Sequence, residues 1–184
     1  MKKILLFISF LSVLAYGQEE QDTNTNRQAK NEITVGLLDA LLDYPTISYE
    51  RLTSSSFGFG IKAGFDISGD DDKWVRNYNI SPFGRLYFLN TGNETYYGRR
   101  FFIEASAGIV GVDGYEIYYH NSDYNNYMTK EKDQTQLGLG VGVGYKYVNR
   151  GNWIGIVNLG VTRTFGDDSD DYYTDFQIGI GKRF

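Results

Sequence analysis

The sequence predicts an all-β fold, namely an eight-stranded antiparallel up-and-down transmembrane β-barrel preceded by a signal peptide. Three observations lead to this prediction. Apolar and polar residues alternate with a period of two over long stretches, as they do in strands that have two different faces. The 184 residues include 16 Tyr, 12 Phe and 22 Gly, a composition that suits strands and tight turns. The predicted connections also differ in length, with the long ones at one end of the barrel.

The first element is a signal peptide. Lys2 and Lys3 form a positively charged start, and the run from Ile4 to Ala15 is apolar apart from two serines. Small residues at Ala15 and Gly17 then provide a cleavage site. The run is too short for a bilayer core of about 30 Å, which needs about 20 residues. We therefore expect a signal peptide at 1–17, removed after Gly17, a disordered polar lead-in at 18–30, and the barrel at 31–184.

The clearest strand runs from Thr135 to Tyr147. Aliphatic and aromatic residues alternate there with Gly138, Gly140, Gly142 and Gly144, and no helical period fits. The same alternation predicts eight strands, at 31–38, 43–52, 56–67, 77–89, 100–112, 134–148, 152–165 and 172–184. Many of them reach the roughly 9–11 residues that a tilted strand needs to cross a bilayer.

The connections predict an orientation. If both ends of the mature chain lie in the periplasm, the loops 68–76, 113–133 and 166–171 are extracellular. The loop 113–133 is rich in tyrosine and suits contact with proteins or glycans, and equally contact with the lipid interface. The other two carry aspartate clusters, for which a weak divalent-cation site is the alternative to a solvated loop.

The composition of the polar face indicates which face meets the membrane. A water-exposed strand with four alternating glycines would be weak, whereas glycine inside a narrow barrel makes room for longer side chains from other strands. A soluble barrel with an apolar cavity is the alternative. Aromatic residues near the strand ends suit the two membrane interfaces. They are Tyr44, Phe57, Phe88, Phe101, Tyr145, Tyr147, Trp153, Phe165, Tyr172 and Phe184.

With these features the chain resembles the small outer-membrane barrel proteins, namely the OmpX-like proteins and the OmpA transmembrane domain. The resemblance rests on the signal peptide, the eight amphipathic strands and the terminal Gly-Lys-Arg-Phe of residues 181–184. It implies that Phe184 and the last strand are the signal that the barrel assembly machinery recognises. It also implies a location in the bacterial outer membrane, in contact with outer-membrane lipids and lipopolysaccharide.

Charged residues on the inward face predict a lumen charge network of Glu50, Lys62, Arg85 and Glu104. If residue 89 pairs with residue 100, Arg85 lies directly opposite Glu104, and Glu50 lies three residues off direct pairing with Lys62. Lys146 and Asp175 share the inward parity. Charges in so narrow a lumen must be paired or hydrated. We expect the network to close the lumen and fix the register, with a gate for a small conductance as the alternative.

The remaining chemistry favours a non-enzymatic protein. Cysteine is absent, which excludes disulfides and thiol nucleophiles, and the net charge of −5 argues against a nucleic-acid partner. His120 lies in the loop 113–133 near Ser122 and Asp123, where nothing holds a catalytic triad in place, so a lipid A-modifying enzyme is the least favoured hypothesis. We expect a monomer with a structural or surface role, without cofactor or metal, whose loops serve adhesion or partner contact.

Overall fold

The chain folds into a barrel that is closed in chain order. The computed structural model describes residues 29–68, 76–88, 100–119, 127–166 and 172–184. The strands are β1 (Asn31–Gly36), β2 (Thr46–Leu52), β3 (Phe57–Phe65), β4 (Arg76–Tyr87), β5 (Arg100–Tyr119), β6 (Tyr127–Val148), β7 (Trp153–Phe165) and β8 (Tyr172–Arg183), with a short helix α1 (Leu37–Leu41) between β1 and β2. Each strand pairs antiparallel with the next, and β8 pairs with β1. The predicted eight-stranded antiparallel up-and-down barrel is confirmed.

The two ends of the barrel differ. One end holds the short connections from β2 to β3 and from β6 to β7 together with the start of β1 and the end of β8, and we call it the turn end. The opposite end, called the loop end, holds α1 and the connections from β3 to β4, β5 to β6 and β7 to β8. Within the described residues, no helix combines the length and the apolar character required to cross a membrane.

The prediction of a long loop at 113–133 is wrong for most of its length. The β5–β6 ladder continues from Arg100 paired with Lys146 as far as Tyr119 paired with Tyr127. The β4 ladder on β5 ends at Val112, and the β7 ladder on β6 ends at Leu137. Residues 113–119 and 127–133 therefore form a two-stranded ribbon beyond the barrel wall. Its sequence lacks the apolar–polar alternation because a ribbon outside the barrel has no lumen to face.

A second departure lies at the end of β1. The predicted strand 31–38 ends at Gly36, and α1 takes the place of its last residues and of the predicted loop 39–42. The run Leu-Leu-Asp-Ala-Leu of α1 has no period of two. Asp43, with a φ of 66°, then turns the chain back towards β2. The β1–β8 ladder ends at Gly36 paired with Gly179, so residues 172–178 of β8 extend past β1, and α1 packs beside them.

The barrel is apolar outside and polar inside. Outward side chains are exposed at Ile47, Ile61, Ile80, Leu86, Ile103, Ile109, Leu137, Leu139, Val141, Val143, Val157, Leu159, Val161 and Ile178. Inward side chains are buried and largely polar or charged, as at Thr34, Ser48 and Asn158. A bilayer favours this distribution and water favours its reverse, so the faces are those of a transmembrane barrel.

Glycines on the inner face leave space for large side chains of neighbouring strands. A Cβ added at Gly60 would lie 2.7 Å from Cζ of Phe83, and one added at Gly144 would overlap the ring of Phe102. Both rings point into the lumen and are buried. The inner face of the barrel therefore lacks side chains at the positions where large rings from neighbouring strands fill the lumen, as expected for so narrow a barrel.

The predicted aromatic residues lie on the outer surface with one exception. Phe57, Phe88, Phe101, Tyr145, Tyr147, Phe165, Tyr172 and Phe184 are exposed, and Trp153 is half-buried. Phe101 packs between Phe88 and Tyr145, with ring centroids 6.3 and 5.1 Å apart. The placement of Tyr44 at an interface is wrong, because its ring is buried in the lumen. The Tyr44 hydroxyl donates a hydrogen bond to Oδ1 of Asn79 at 3.1 Å.

Candidate functional site in the barrel lumen

An apolar cluster fills the lumen at the turn end. We call it the apolar floor, and it consists of Leu52, Tyr87, Phe102, Val148, Ile154 and Ile156. These residues lie at or near the turn ends of β2, β4, β5, β6 and β7, and all are at most 3% exposed. Side chains from five strands therefore pack together at this level of the barrel.

Seven charged side chains cross the lumen next to the apolar floor, and we call them the ionic layer. Cations and carboxylates alternate along it in the order Arg183, Glu32, Lys146, Glu50, Arg85, Glu104 and Lys62. Every strand except β7 contributes at least one of them. The ionic layer therefore ties together walls that are not neighbours in the sheet.

Glu50 and Lys146 form the centre of the ionic layer. Nζ of Lys146 lies 2.7 Å from Oε2 of Glu50 and 2.6 Å from Oε2 of Glu32. The other oxygen of Glu32 accepts hydrogen bonds from Nε and Nη2 of Arg183, at 2.7 and 2.5 Å. Lys146 and Glu32 are 0% exposed. A buried charge is tolerated at such a site only when partners of opposite sign replace its hydration.

Arg85 joins the two remaining carboxylates. Its Nη1 donates to Oε2 of Glu50 at 2.6 Å, and its Nε donates to Oε2 of Glu104 at 2.8 Å. The guanidinium carbon lies 4.4 Å from the ring centroid of Phe83 and 4.6 Å from that of Phe102. The layer ends at Lys62, whose Nζ donates to Oε1 of Glu104 at 3.0 Å. Arg85 thus combines ionic, hydrogen-bonding and cation–π contacts.

Tyr87 links the apolar floor to the ionic layer. Its hydroxyl donates to Oε1 of Glu50 at 2.5 Å and accepts a hydrogen bond from Nζ of Lys146. Its ring packs against Phe102, with the centroids 5.6 Å apart. The same side chain therefore fills the floor and contributes a hydrogen bond to each central charge.

The structure brings all four residues of the predicted charge network into the ionic layer. Arg85 and Glu104 are direct cross-strand partners. Glu50 pairs with Gly60, so it lies two residues off Lys62 and not three. Lys62 contacts Glu104 and not Glu50. The role of this network in closing the lumen stays a prediction.

Sequence reasoning missed part of the layer. Glu32 and Arg183 were not among the predicted members, the contacts of Tyr87 with the layer were not predicted, and Lys146 was recognised only as inward-facing. Glu32, Tyr87 and Arg183 occupy alternate, inward-facing positions on β1, β4 and β8, so the period of two could have identified all three. Their contacts could not be foreseen, because Lys146 reaches Glu32 across 114 residues of sequence.

Several predictions concern residues outside those that the structure describes. They are the signal peptide at 1–17, most of the lead-in at 18–30, His120, and the aspartate clusters at 70–72 and 167–171. Within the described part of the chain, no group of three or more acidic or histidine side chains could hold a metal ion.

We expect Tyr87→Phe to lower the free energy of unfolding by about 1–3 kcal/mol, because two buried partners lose a hydrogen bond while the ring stays in place. Urea unfolding in lipid vesicles measures this loss. Tyr49→Phe is the matched control, since the Tyr49 hydroxyl binds Asn31 at 2.8 Å on the exposed face. Equal unfolding midpoints for the two variants would show that the Tyr87 hydroxyl does not stabilise the ionic layer.

Fold and lumen together define a class, the small transmembrane β-barrel with an apolar outer face and a filled, charged interior. The predicted resemblance to the OmpX-like proteins and the OmpA transmembrane domain is confirmed for the fold, which is a closed antiparallel barrel of eight strands in chain order. This level of likeness describes architecture and does not by itself supply a function.

The solved structures that are similar to this chain include the following two. One is the N-terminal β-barrel domain of Pseudomonas aeruginosa OprF, with 16% identity and a TM-score of 0.48 over 85% of this chain and 98% of that one. The other is the Yersinia pestis outer membrane protein Ail in a phospholipid bilayer nanodisc, with 15% identity and a TM-score of 0.41 over 85% of this chain and 99% of that one. No family model and no curated protein matches the sequence.

Proposed function

We propose that this chain is a non-enzymatic protein of the bacterial outer membrane with a structural role, which presents its loop end at the cell surface for adhesion or partner contact. The observation that carries the proposal is the filled lumen inside an apolar wall. The apolar floor and the ionic layer occupy consecutive levels of the barrel, and their charged members are at most 9% exposed. A barrel closed in this way serves as a scaffold rather than as a pore.

The outer surface supports contact with outer-membrane lipids and lipopolysaccharide. Apolar side chains cover the strands, and aromatic residues lie near both ends. At the turn end, Nζ of Lys182 lies 5.0 Å from the ring centroid of Trp153. At the loop end, the guanidinium carbon of Arg163 lies 4.9 Å from the ring centroid of Phe165. Aromatic and basic pairs of this kind suit the headgroup level of a membrane.

The last strand supports recognition by the barrel assembly machinery. Phe184 is half exposed, and its backbone exchanges hydrogen bonds with Asn31 at 3.0 and 2.8 Å. The residue that would be read as the assembly signal therefore also closes the seam between β8 and β1. A signal peptide removed after Gly17 completes this proposed route to the membrane.

The ribbon beyond the barrel supports partner contact at the surface. Residues 113–119 pair with residues 127–133, and within the described residues neither segment pairs with β4 or β7. An unpaired strand edge offers backbone donors and acceptors to an extended segment of another protein. This end of the barrel is the one that we place outside the cell.

A small gated channel is the second candidate, and the shared contacts of Glu50 favour it. One oxygen of Glu50 contacts both Arg85 and Lys146, so the carboxylate could keep one cation while releasing the other. Such an exchange would move charge within the ionic layer without leaving a buried carboxylate unpaired.

Planar-bilayer recording of the refolded protein tests the two functions. We expect no steady conductance, because the apolar floor and the ionic layer both block the lumen. A mobility difference between unheated and boiled samples in gel electrophoresis shows that the recorded protein is folded. Discrete conductance steps that Glu50→Gln alters would contradict the structural role and support the channel.

A further inference from the structure

Two cations lie on the outer face of the barrel at the turn end, on the two strands that flank β1. Arg51 of β2 pairs with Asn31 of β1, and Lys182 of β8 pairs with Ile33 of β1. These side chains point outwards, because the residues that alternate with them along the strands are buried in the lumen. From the usual spacings within a sheet, the Cα atoms of the two cations are about 12 Å apart. We call Arg51, Asn31 and Lys182 the basic strip.

Neither cation of the basic strip has an acidic partner among the described residues. Arg51 is exposed and makes no hydrogen bond or ion pair there. The Lys182 ammonium donates one of its three hydrogens to the carbonyl oxygen of Gly151 at 2.8 Å. The described glutamates at this end of the barrel are all buried in the lumen. A terminal carboxylate at Phe184 would offset one of the two charges, so the basic strip keeps a positive balance.

A neutral hydrogen-bond donor lies between the two cations. Oδ1 of Asn31 accepts a hydrogen bond from the Tyr49 hydroxyl at 2.8 Å on the exposed face. The side-chain nitrogen of Asn31 has no partner among the described residues, so its two hydrogens are available to another acceptor. The guanidinium group of Arg51, level with Asn31 in the β1–β2 ladder, adds further donors. Donors combined with positive charge are what phosphate oxygens bind best.

The surroundings of the basic strip match the headgroup level of a bilayer. Further along β2 and β8 towards the loop end, Ile47 and Ile178 are exposed on the apolar wall. Trp153 pairs with Lys182 on the other side, and its ring centroid lies 5.0 Å from Nζ. A phosphate held here would belong to a lipid whose acyl chains lie along the apolar wall. A zwitterionic lipid would bring an ammonium group towards the two cations, so an anionic lipid is favoured.

The opposite side of the barrel has a different surface at the same level. Among the described residues, the outward side chains at the turn ends of β4, β5 and β6 are apolar or aromatic. They are Leu86, Phe88, Phe101, Ile103, Tyr145 and Tyr147. The basic strip is therefore a local feature of β8, β1 and β2, and a lipid that prefers it would occupy one side of the barrel.

We propose that the basic strip binds the phosphodiester group of an anionic glycerophospholipid, such as phosphatidylglycerol, in the leaflet at the turn end. Arg51 and Asn31 donate hydrogen bonds to the phosphate oxygens. Lys182 supplies the second positive charge from the other side of β1. The inference rests on the proposed membrane location, because the headgroup reaches the basic strip only when a bilayer surrounds the apolar wall.

NMR spectra of the full mature chain in phosphatidylcholine nanodiscs test the proposal, with phosphatidylglycerol as the probe. As phosphatidylglycerol replaces part of the phosphatidylcholine, we expect saturable shifts of the Arg51 Nε–H and Asn31 side-chain amide signals. Inorganic phosphate added to phosphatidylcholine nanodiscs should cause neither shift. Lys182→Gln should raise the phosphatidylglycerol fraction at half of the full shift about fivefold, as expected for one cation lost near an anionic surface.

Arg150→Gln is the matched control, because it removes the same charge at the same end of the barrel but from the turn between β6 and β7. We expect its half-shift fraction to change less than about twofold. Three results would each overturn the proposal: no saturable shift, the same shift with inorganic phosphate, or equal effects of Arg150→Gln and Lys182→Gln. If Lys182→Gln does not fold, Arg51→Gln followed through the Asn31 signals replaces it, and an unchanged half-shift fraction overturns the proposal.

Gel mobility of the unheated protein from phosphatidylcholine nanodiscs separates this proposal from the proposed function. A folded, inserted protein without a response to phosphatidylglycerol would overturn the lipid site and leave the membrane location intact. A protein that does not insert would contradict both.

Discussion

Arg85→Ala is expected to lower the free energy of unfolding by about 3–5 kcal/mol, the largest effect of any single substitution in the lumen. The substitution leaves Glu50 and Glu104 buried without their shared cation, and it removes the cation–π contacts with Phe83 and Phe102. Urea unfolding in lipid vesicles, followed by the fraction of protein that keeps its folded gel mobility, measures the loss.

Two further variants separate the ionic layer from a general effect of losing arginine. Arg150→Ala is the matched control, since Arg150 is exposed in the turn between β6 and β7, and we expect a change within about 0.5 kcal/mol. Arg85→Lys keeps the charge but cannot reach both carboxylates with a planar group, so its stability should be intermediate. If Arg85→Ala and Arg150→Ala unfold at the same urea concentration, the ionic layer does not hold the barrel together.

Gly144→Ala is expected to cost about 1–3 kcal/mol, because the added methyl group meets atoms that cannot move away. A Cβ at residue 144 would overlap both the ring of Phe102 and the backbone carbonyl of Val157. Phe102 is fully buried in the apolar floor, so its ring has no free space to occupy. The same unfolding experiment measures this cost.

Gly155→Ala is the control for the glycine substitution, because a Cβ there has no atom within 4 Å among the described residues. We expect this variant to be as stable as the wild type or slightly more stable, since alanine reduces the freedom of the unfolded chain. Similar losses of unfolding free energy for both variants would mean that glycine is needed in these strands for its backbone conformation, and not for the space that it leaves to the ring of Phe102.

We interpret the ionic layer as a determinant of register rather than as a source of net stability. Burying seven charges costs desolvation energy, which their mutual attraction only partly offsets. Removing one member leaves its partners buried without that opposite charge, so their desolvation is no longer offset. A strand shifted by one residue would turn Glu50 or Arg85 towards the membrane. We therefore expect the layer to penalise a one-residue shift of any strand that it joins.

The outward and inward faces were predictable from sequence because a period of two is a local property. The glycine-rich side of β6 identified the crowded inner face, and the structure places Phe102 against Gly144 there. The register between β4 and β5 was also accessible, since one assumed turn length was enough to place Arg85 opposite Glu104. Where local alternation fails, as in α1 and the ribbon of β5 and β6, the predicted boundaries failed as well.

The sequence by itself determined that this chain forms eight amphipathic strands with an apolar face for lipid and a small, charged face for the lumen. Only the tertiary structure decided which charges meet. Lys146 contacts Glu50 across 96 residues and Arg183 contacts Glu32 across 151, because closing the barrel brings distant strands to the same level. Such contacts follow from closure and stagger, which no local pattern of residues records.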